Sequence, residues 1–346
     1  MGSAALDTLR DPVLVTVRDE HFSRLERLFA GEALDRPLFL CGIAEVTEDD
    51  GPEWEAWLDG ALGRLAQHVE RACDRAVFRP LCMNYNPHGV HFIDDLFGAD
   101  VFRMEDGSWQ VHYLPTPVGE LRRPDIEVNA SWQAAMGVTR AFVERDMPGV
   151  VFGLPTIASA LNIAVNLYGQ AIILAMMTEP EAARHDLQVI NDLLCDIHRW
   201  YRANVPERQL QCIVPQGRCQ PPGFGQLCGC TTQVLSPGLY EESIAPLDDE
   251  LLSVYPRGGM IHLCGAHTQH IPCWRKLKSF RAFQTNDRAS EDFETYFCEL
   301  REDQVLYVNP MESVTVERIV EVTEGRRVVI PADTAPPSLP AGRSPR

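Results

Sequence analysis

His262 and Cys264 stand two residues apart in the stretch GGMIHLCGAHTQHIPC, residues 258–273. Alternate side chains of a strand share a face. An imidazole and a thiol would therefore project side by side from the end of a buried strand. Both are ligands of a soft divalent metal, zinc above all. A catalytic zinc takes three protein ligands and keeps a fourth position open. Cys228 and Cys230, in the glycine- and cysteine-rich stretch QGRCQPPGFGQLCGCTTQVLSP, are candidates for the third. The competing structural reading packs Cys264 against the sheet and bonds His262 to a neighbouring carboxylate. His267, His270 and Cys273 follow at helical spacing and read as face or capping residues of a helix.

The elements that must position this pair are legible as eight short apolar runs. They are 37–43 (PLFLCGI), 76–83 (AVFRPLCM), 149–155 (GVVFGLP), 210–215 (LQCIVP), 259–264, 280–285 (FRAFQT), 305–309 (VLYVN) and 327–331 (RVVIP). Each is apolar on both faces, as strands of a parallel sheet covered on both sides are. Helical periodicity lies between most of them, over 53–73, 131–145, 179–203, 237–254 and 312–324. Ser236-Pro237 has the form of an N-cap followed by proline at the first helical position. Gly325 reads as a C-cap. Eight alternating strands and helices predict an α/β chain folded as a (β/α)8 TIM barrel. A doubly wound open sheet is the alternative, and no G-x-G-x-x-G turn favours its dinucleotide-binding form. Asp106-Gly107 between alternating segments predicts an inserted β-hairpin around 102–121. The chain reads as one domain over 1–335, with the proline-rich 336–346 as a disordered tail.

In such barrels the active site lies at the carboxyl ends of the strands. That rule makes Glu45, His88 and Asp287 candidates for acid, base or charge-stabilising work. It makes Asn84, Asn86, Asn162 and Asn286 candidates for substrate contact. Asn309 and Asp333 follow the last two runs.

Composition narrows the partners. The 346 residues are 45% hydrophobic and 23% charged, enough for a sizeable core. A formal net charge of -18 repels phosphate backbones, so nucleic acid is an unsuitable partner. No apolar run approaches the ~20 residues of a membrane span, and the N-terminus lacks a signal-peptide core, so a cytoplasmic location is expected. Eleven cysteines, an odd number in a large chain, argue for free thiols rather than a disulfide framework.

Several segments, taken in order, resemble the uroporphyrinogen decarboxylase superfamily, and most closely its branch of corrinoid- and thiol-dependent methyltransferases. Pro155-Thr156-Ile157-Ala158-Ser159-Ala160-Leu161-Asn162-Ile163-Ala164 is similar to that family's Pro-x-x-x-Ser-Pro-Leu-Asp-Ile-Ala. Leu167-Tyr168-Gly169 and Thr178-Glu179-Pro180-Glu181 resemble the Gly and Asp-Pro-Glu that follow it. Leu235-Ser236-Pro237-Gly238-Leu239-Tyr240 resembles a Leu-Ser-Pro-Glu-Leu-Phe helix opening. Residues 258–265 resemble Gly-Gly-x-x-His-x-Cys-Gly, and Asn309-Pro310 resembles an Asn-x-Asp-Pro turn. The resemblance spans roughly 35–335. It implies a (β/α)8 barrel with a deep cleft at the carboxyl ends of its strands. It also implies zinc on His262 and Cys264, and a corrinoid, free or carried by a protein, as methyl donor. The zinc members complete the site with a cysteine after the last strand. Here VVIPADTAPP places Ala332 or Asp333 there, leaving Cys228, Cys230 or Asp333 as the third ligand. The decarboxylase branch carries Arg-Gln-Ala-Gly-Arg after the first strand, where this chain has Cys41-Gly42-Ile43-Ala44-Glu45.

Three functions fit these residues. The first is zinc-dependent methyl transfer from a corrinoid-like donor to a thiol. The second is a metal-free carboxy-lyase acting on a carboxylated, tetrapyrrole-like substrate. In it Asp287, Asp333 or Glu45 would stabilise a cation while His88 or His262 moves protons. The third is a small-molecule-binding barrel without chemistry.

Overall fold

The apolar runs form parallel strands in a computed structural model that describes residues 3–49, 53–211 and 217–334. The strands are β1 Leu38–Leu40, β2 Ile43–Thr47, β3 Val77–Phe78, β4 Leu81–Tyr85, β5 Val101–Arg103, β6 Trp109–Val111, β7 Val150–Gly153, β8 Leu210–Gln211, β9 Gly225–Cys228, β10 Gly259–Cys264, β11 Phe280–Asn286, β12 Val305–Val308 and β13 Val328–Pro331. The end of the 210–215 run and the 336–346 tail lie outside the described residues.

Two parallel sheets result, in the orders β3-β1-β13-β12-β11-β10-β9 and β2-β4-β7-β8. They are continuous with each other. Only Cys41-Gly42 separates β1 from β2, and only Arg79-Pro80 separates β3 from β4. Backbone bonds from Cys41 N to Phe78 O and from Ile43 N to Pro80 O carry the pairing across that break. Between β8 and β9 the described residues form no backbone ladder. The Gln211 and Gln220 side chains span the gap, with Gln220 N donating to Gln211 Oε1 at 2.9 Å and Gln220 Nε2 donating to Gly225 O at 2.8 Å.

Side-chain alternation divides the apolar residues into two cores. An inner core gathers Leu38 and Leu40, Phe78, Cys82, Val151, Met260, Ala282, Val305, Tyr307 and Val329, drawn from strands of both sheets. Their sequence neighbours Phe39, Val77, Leu81, Val150, Ile261, Phe283, Leu306 and Ile330 join an outer core packed under the helices. The two sheets thus enclose one core and are wrapped by another.

An unforeseen helix, Pro12–Phe29, seals part of the inner core. Asp11 caps it by accepting from Val13 N, and Pro12 supplies a preset first residue. Its Phe22, Leu25, Leu28 and Phe29 all enter the inner core. Burying each is worth about 1.5–3 kcal/mol, which outweighs the charged residues that obscure the pattern.

The inserted hairpin is present as the antiparallel pair β5–β6, shorter than 102–121. The expected 237–254 helix is two, Pro237–Ser243 and Ala245–Ser253, because Pro246 has no N–H to continue the first. The last helix starts at Val316, where Thr315 accepts from Arg318 N. The stretch between the fourth and fifth runs is not all loop. Its Gly225–Cys228 pairs with β10 from Gly225↔Gly259 to Cys228↔His262. No single helix is long and apolar enough to cross a membrane.

Candidate metal centre

β10 delivers both sequence candidates to one place. Met260 faces the inner core, so His262 and Cys264, at steps of two, line the same face nearer the carboxyl end. β9 runs beside it, with Cys228 opposite His262. Gly229 N donates to His262 O at 2.9 Å, prolonging the pairing by one residue. The chain then tightens into the short 3-10 helix Cys230–Val234. Cys230 thus lies two residues past Cys228, as Cys264 lies two past His262. The ligand atoms of Cys230, His262 and Cys264 all fall within 4.8 Å of one another. Cys264 Sγ is 3.3 Å from His262 Nε2.

The histidine tautomer follows from Gln284, its partner in the β10–β11 register. Gln284 Nε2 donates to Thr285 O at 3.0 Å, which turns its Oε1 toward His262 Nδ1. Nδ1 must then carry the proton and donate it, and Nε2 presents its lone pair to the two sulfurs. This is the outer hydrogen bond that metal-ligating histidines make.

The Cys230 turn is clamped from three sides. Ser159 N donates to Cys228 O at 3.0 Å, and Thr231 N donates to Asn162 Oδ1 at 3.1 Å. His270 Nε2 donates to Thr232 O at 2.9 Å. His267 is fully buried and bridges the two ligand segments. Its Nε2 lies 2.5 Å from Cys264 O and its Nδ1 lies 3.1 Å from the Thr232 hydroxyl. Burial pulls the His267 pKa down to about 4, so the ring is neutral. Gly265 follows Cys264 with φ +80°, and a Cβ there would come within 2.0 Å of Gln233 Oε1. The positive φ favours glycine at that turn.

The thiols are electrostatically coupled. The Cys264 thiol hydrogen-bonds the Cys230 sulfur, which holds Cys230 below the usual thiol range and pushes Cys264 above it. Burial raises Cys228, against the opposing charge of Arg218. Arg218 Nη2 sits 3.4 Å from His262 Nε2. Arg218 follows Gly217, which lines a cleft of ≈ 380 Å³ with Cys41, Asn309, Pro310, Ala332 and Asp333. The cleft opens at the carboxyl ends of β1, β12 and β13.

The remaining candidates fall elsewhere. Cys228 is half-buried and outside the three-ligand group. Asp333 pairs with Arg79 at 2.5 Å and Arg71 at 2.6 Å, which depress its pKa, and is outside the three-ligand group. Glu45 is held by Arg64 at 2.7 Å. Asp287 is exposed at the start of the helix Asp287–Glu291. His88 Nε2 lies 3.1 Å from the Ser131 hydroxyl, and His91 donates to the buried Asp94 at 2.7 Å. Asn84 is 0% exposed, its amide donating to Gly153 O and Leu154 O. Asn86 accepts from Thr156 N at 2.6 Å. Asn162 touches the metal loop through Thr231. Asn286 accepts from the Asn309 amide. His267, His270 and Cys273 are buried behind the centre rather than on an outer helix face.

Two residues of this site were missed in the sequence. Gln284 is a lone amide in the apolar run FRAFQT, which marks a buried polar group in need of a partner. Arg218 had no signal beyond its place in a long loop.

No family model and no curated protein matches the chain. Among solved structures it is similar to a methyltransferase from Methanosarcina mazei, with a TM-score of 0.63 at 12% sequence identity, over 94% of each chain. At that identity the likeness is one of fold, shared across nearly the whole length of both proteins.

Proposed function

We propose that this protein is a zinc-dependent methyltransferase of the uroporphyrinogen decarboxylase superfamily, built on a (β/α)8 barrel. In this reading it moves a methyl group from a corrinoid-like donor to a thiol. One observation carries the proposal: Cys230, His262 and Cys264 bring two sulfurs and an imidazole nitrogen within 4.8 Å at the carboxyl ends of parallel strands. The whole-length likeness to a methyltransferase supports it.

The donor set fits zinc. It has two thiols, one imidazole with its free nitrogen fixed by Gln284, and three ligands rather than four. Zinc held there would lower the pKa of a coordinated substrate thiol and present a thiolate at neutral pH. The chain's own residues do the rest. Gln284 accepts from Nδ1, which turns Nε2 of the neutral ring toward the sulfurs. Asn162 and Ser159 hold the Cys230 turn in reach. Arg218, beside Nε2, offsets the negative charge gathered when a third sulfur joins two. The neighbouring cleft is of a size that admits small molecules.

Metal analysis of the purified protein tests this. One zinc per chain is expected, lost in Cys264→Ala and in Cys230→Ser while both variants keep the parent circular-dichroism spectrum. Zinc retained by either variant sinks the ligand assignment. No methylation of a test thiol by a methylcorrinoid, with zinc bound, sinks the reaction.

A further inference from the structure

We propose that Cys230 and Cys264 form a redox-sensitive dithiol, which a peroxide closes to a disulfide with ejection of the metal. The metal half rests on the function proposed above; the dithiol half rests on geometry alone.

The register makes the pair. Cys228 and His262 are direct neighbours across β9 and β10, and each cysteine lies two residues further along its own chain. The 3-10 turn that follows β9 keeps Cys230 beside the end of β10, where Cys264 stands. The two sulfurs already lie within 4.8 Å of each other. Both residues are partly exposed, as are Cys41, Cys73 and Cys228, whereas Cys82, Cys195, Cys219 and Cys273 are buried. Cys298 is exposed. It sits on the helix Phe293–Glu299, away from this register.

The chemistry balances with hydrogen peroxide as oxidant. One thiol loses its proton, and the thiolate attacks a peroxide oxygen; the O–O bond breaks to give a sulfenic acid and a hydroxide, which takes that proton and leaves as a first water. The second thiolate attacks that sulfur. An S–S bond forms, the S–O bond breaks, and a second water leaves. The two thiols together give up two protons and two electrons, and the peroxide takes both to become two waters. Two of the three donors are then spent, and His262 alone does not retain zinc.

The experiment treats the zinc-loaded full chain with hydrogen peroxide. It reads intact mass, a non-reduced peptide map, and zinc captured by a chromogenic chelator. The expected result is a mass lower by two hydrogens, a Cys230–Cys264 linked peptide, and release of the bound zinc in step with the linkage. Dithiothreitol plus zinc should restore the starting state. Cys298→Ser should behave as the parent. Cys230→Ser should give no linked peptide and should add oxygen to Cys264 instead. A linkage through another pair, or zinc release without any linkage, overturns the proposal. If the chain takes up no zinc, the mass and map are read on the metal-free protein. A linked Cys230–Cys264 peptide there supports the dithiol while removing the metal reading, and its absence overturns the dithiol.

Discussion

Gln284 governs what His262 can offer. With the amide turned by Thr285 O, the imidazole has one tautomer and one orientation. Gln284→Leu keeps the volume and removes the acceptor. The ring is then free to protonate either nitrogen or to rotate. Outer hydrogen bonds of this kind are worth roughly 10–100-fold in metal affinity. Zinc affinity by chelator competition is expected to fall by that factor with the melting temperature nearly unchanged. A parental affinity would show that Gln284 does not set the tautomer. At this scale the sequence was half legible. His262 and Cys264 could be read together because strand alternation is a rule of parity. Cys230 could not be separated from Cys228, because the choice depends on where β9 gives way to a 3-10 turn. Asp333 was discounted only by Arg71 and Arg79, which are distant in sequence and carry no signal of their target.

The helix Ala160–Tyr168 is the element that brings the Cys230 turn to β10. Ser159 caps it by accepting from Asn162 N. The same first turn reaches out twice, through Ser159 N to Cys228 O and through Asn162 Oδ1 to Thr231 N. A cap and a clamp thus share four residues. Asn162→Ala leaves the cap and removes one clamp bond, costing stability about 1 kcal/mol. Its larger effect is expected on the metal, with about tenfold weaker zinc binding as Cys230 loses its fixed place. Equal losses in Ser159→Ala and Asn162→Ala, with no difference in metal affinity, would mean that the helix acts on stability alone. The strands and long helices were legible because buried parallel strands are apolar throughout and helices repeat at 3.6. β9 was not legible. Gly225–Cys228 contains a glycine and a glutamine and is four residues long, so nothing local marks it as a strand. Its evidence is its pairing with β10, which is a tertiary fact. The Pro12–Phe29 helix was hidden because charged residues interrupt its apolar stripe.

At the scale of the whole molecule, the polar network behind the centre contributes to how stability responds to pH. Asp248 is buried on the helix Ala245–Ser253. Its Oδ2 accepts from Tyr240 at 3.1 Å, and Trp274 Nε1 donates to the same Tyr240 oxygen at 2.9 Å. Tyr240 packs at a tilt against His270, whose Nε2 holds the Cys230 turn through Thr232 O. Burial is the main cause that raises the Asp248 pKa to about 7, against the Tyr240 bond and with the neighbouring Asp249 charge. A raised carboxyl pKa means that the folded protein keeps a proton which the unfolded chain has already released. Stability therefore falls as pH rises from about 4 to about 7, and the full penalty persists above that window. Below it both states are protonated and no penalty remains. A shift of about 3 units corresponds to an order of 4 kcal/mol. Asp248→Asn keeps an acceptor for Tyr240 and cannot ionise. The variant is expected to melt near the parent temperature at about pH 4 and several degrees higher at pH 8. Thermal melts across that range decide the matter. A parent whose pH dependence over that range is unchanged by the substitution would show that Asp248 already ionises freely in the folded state.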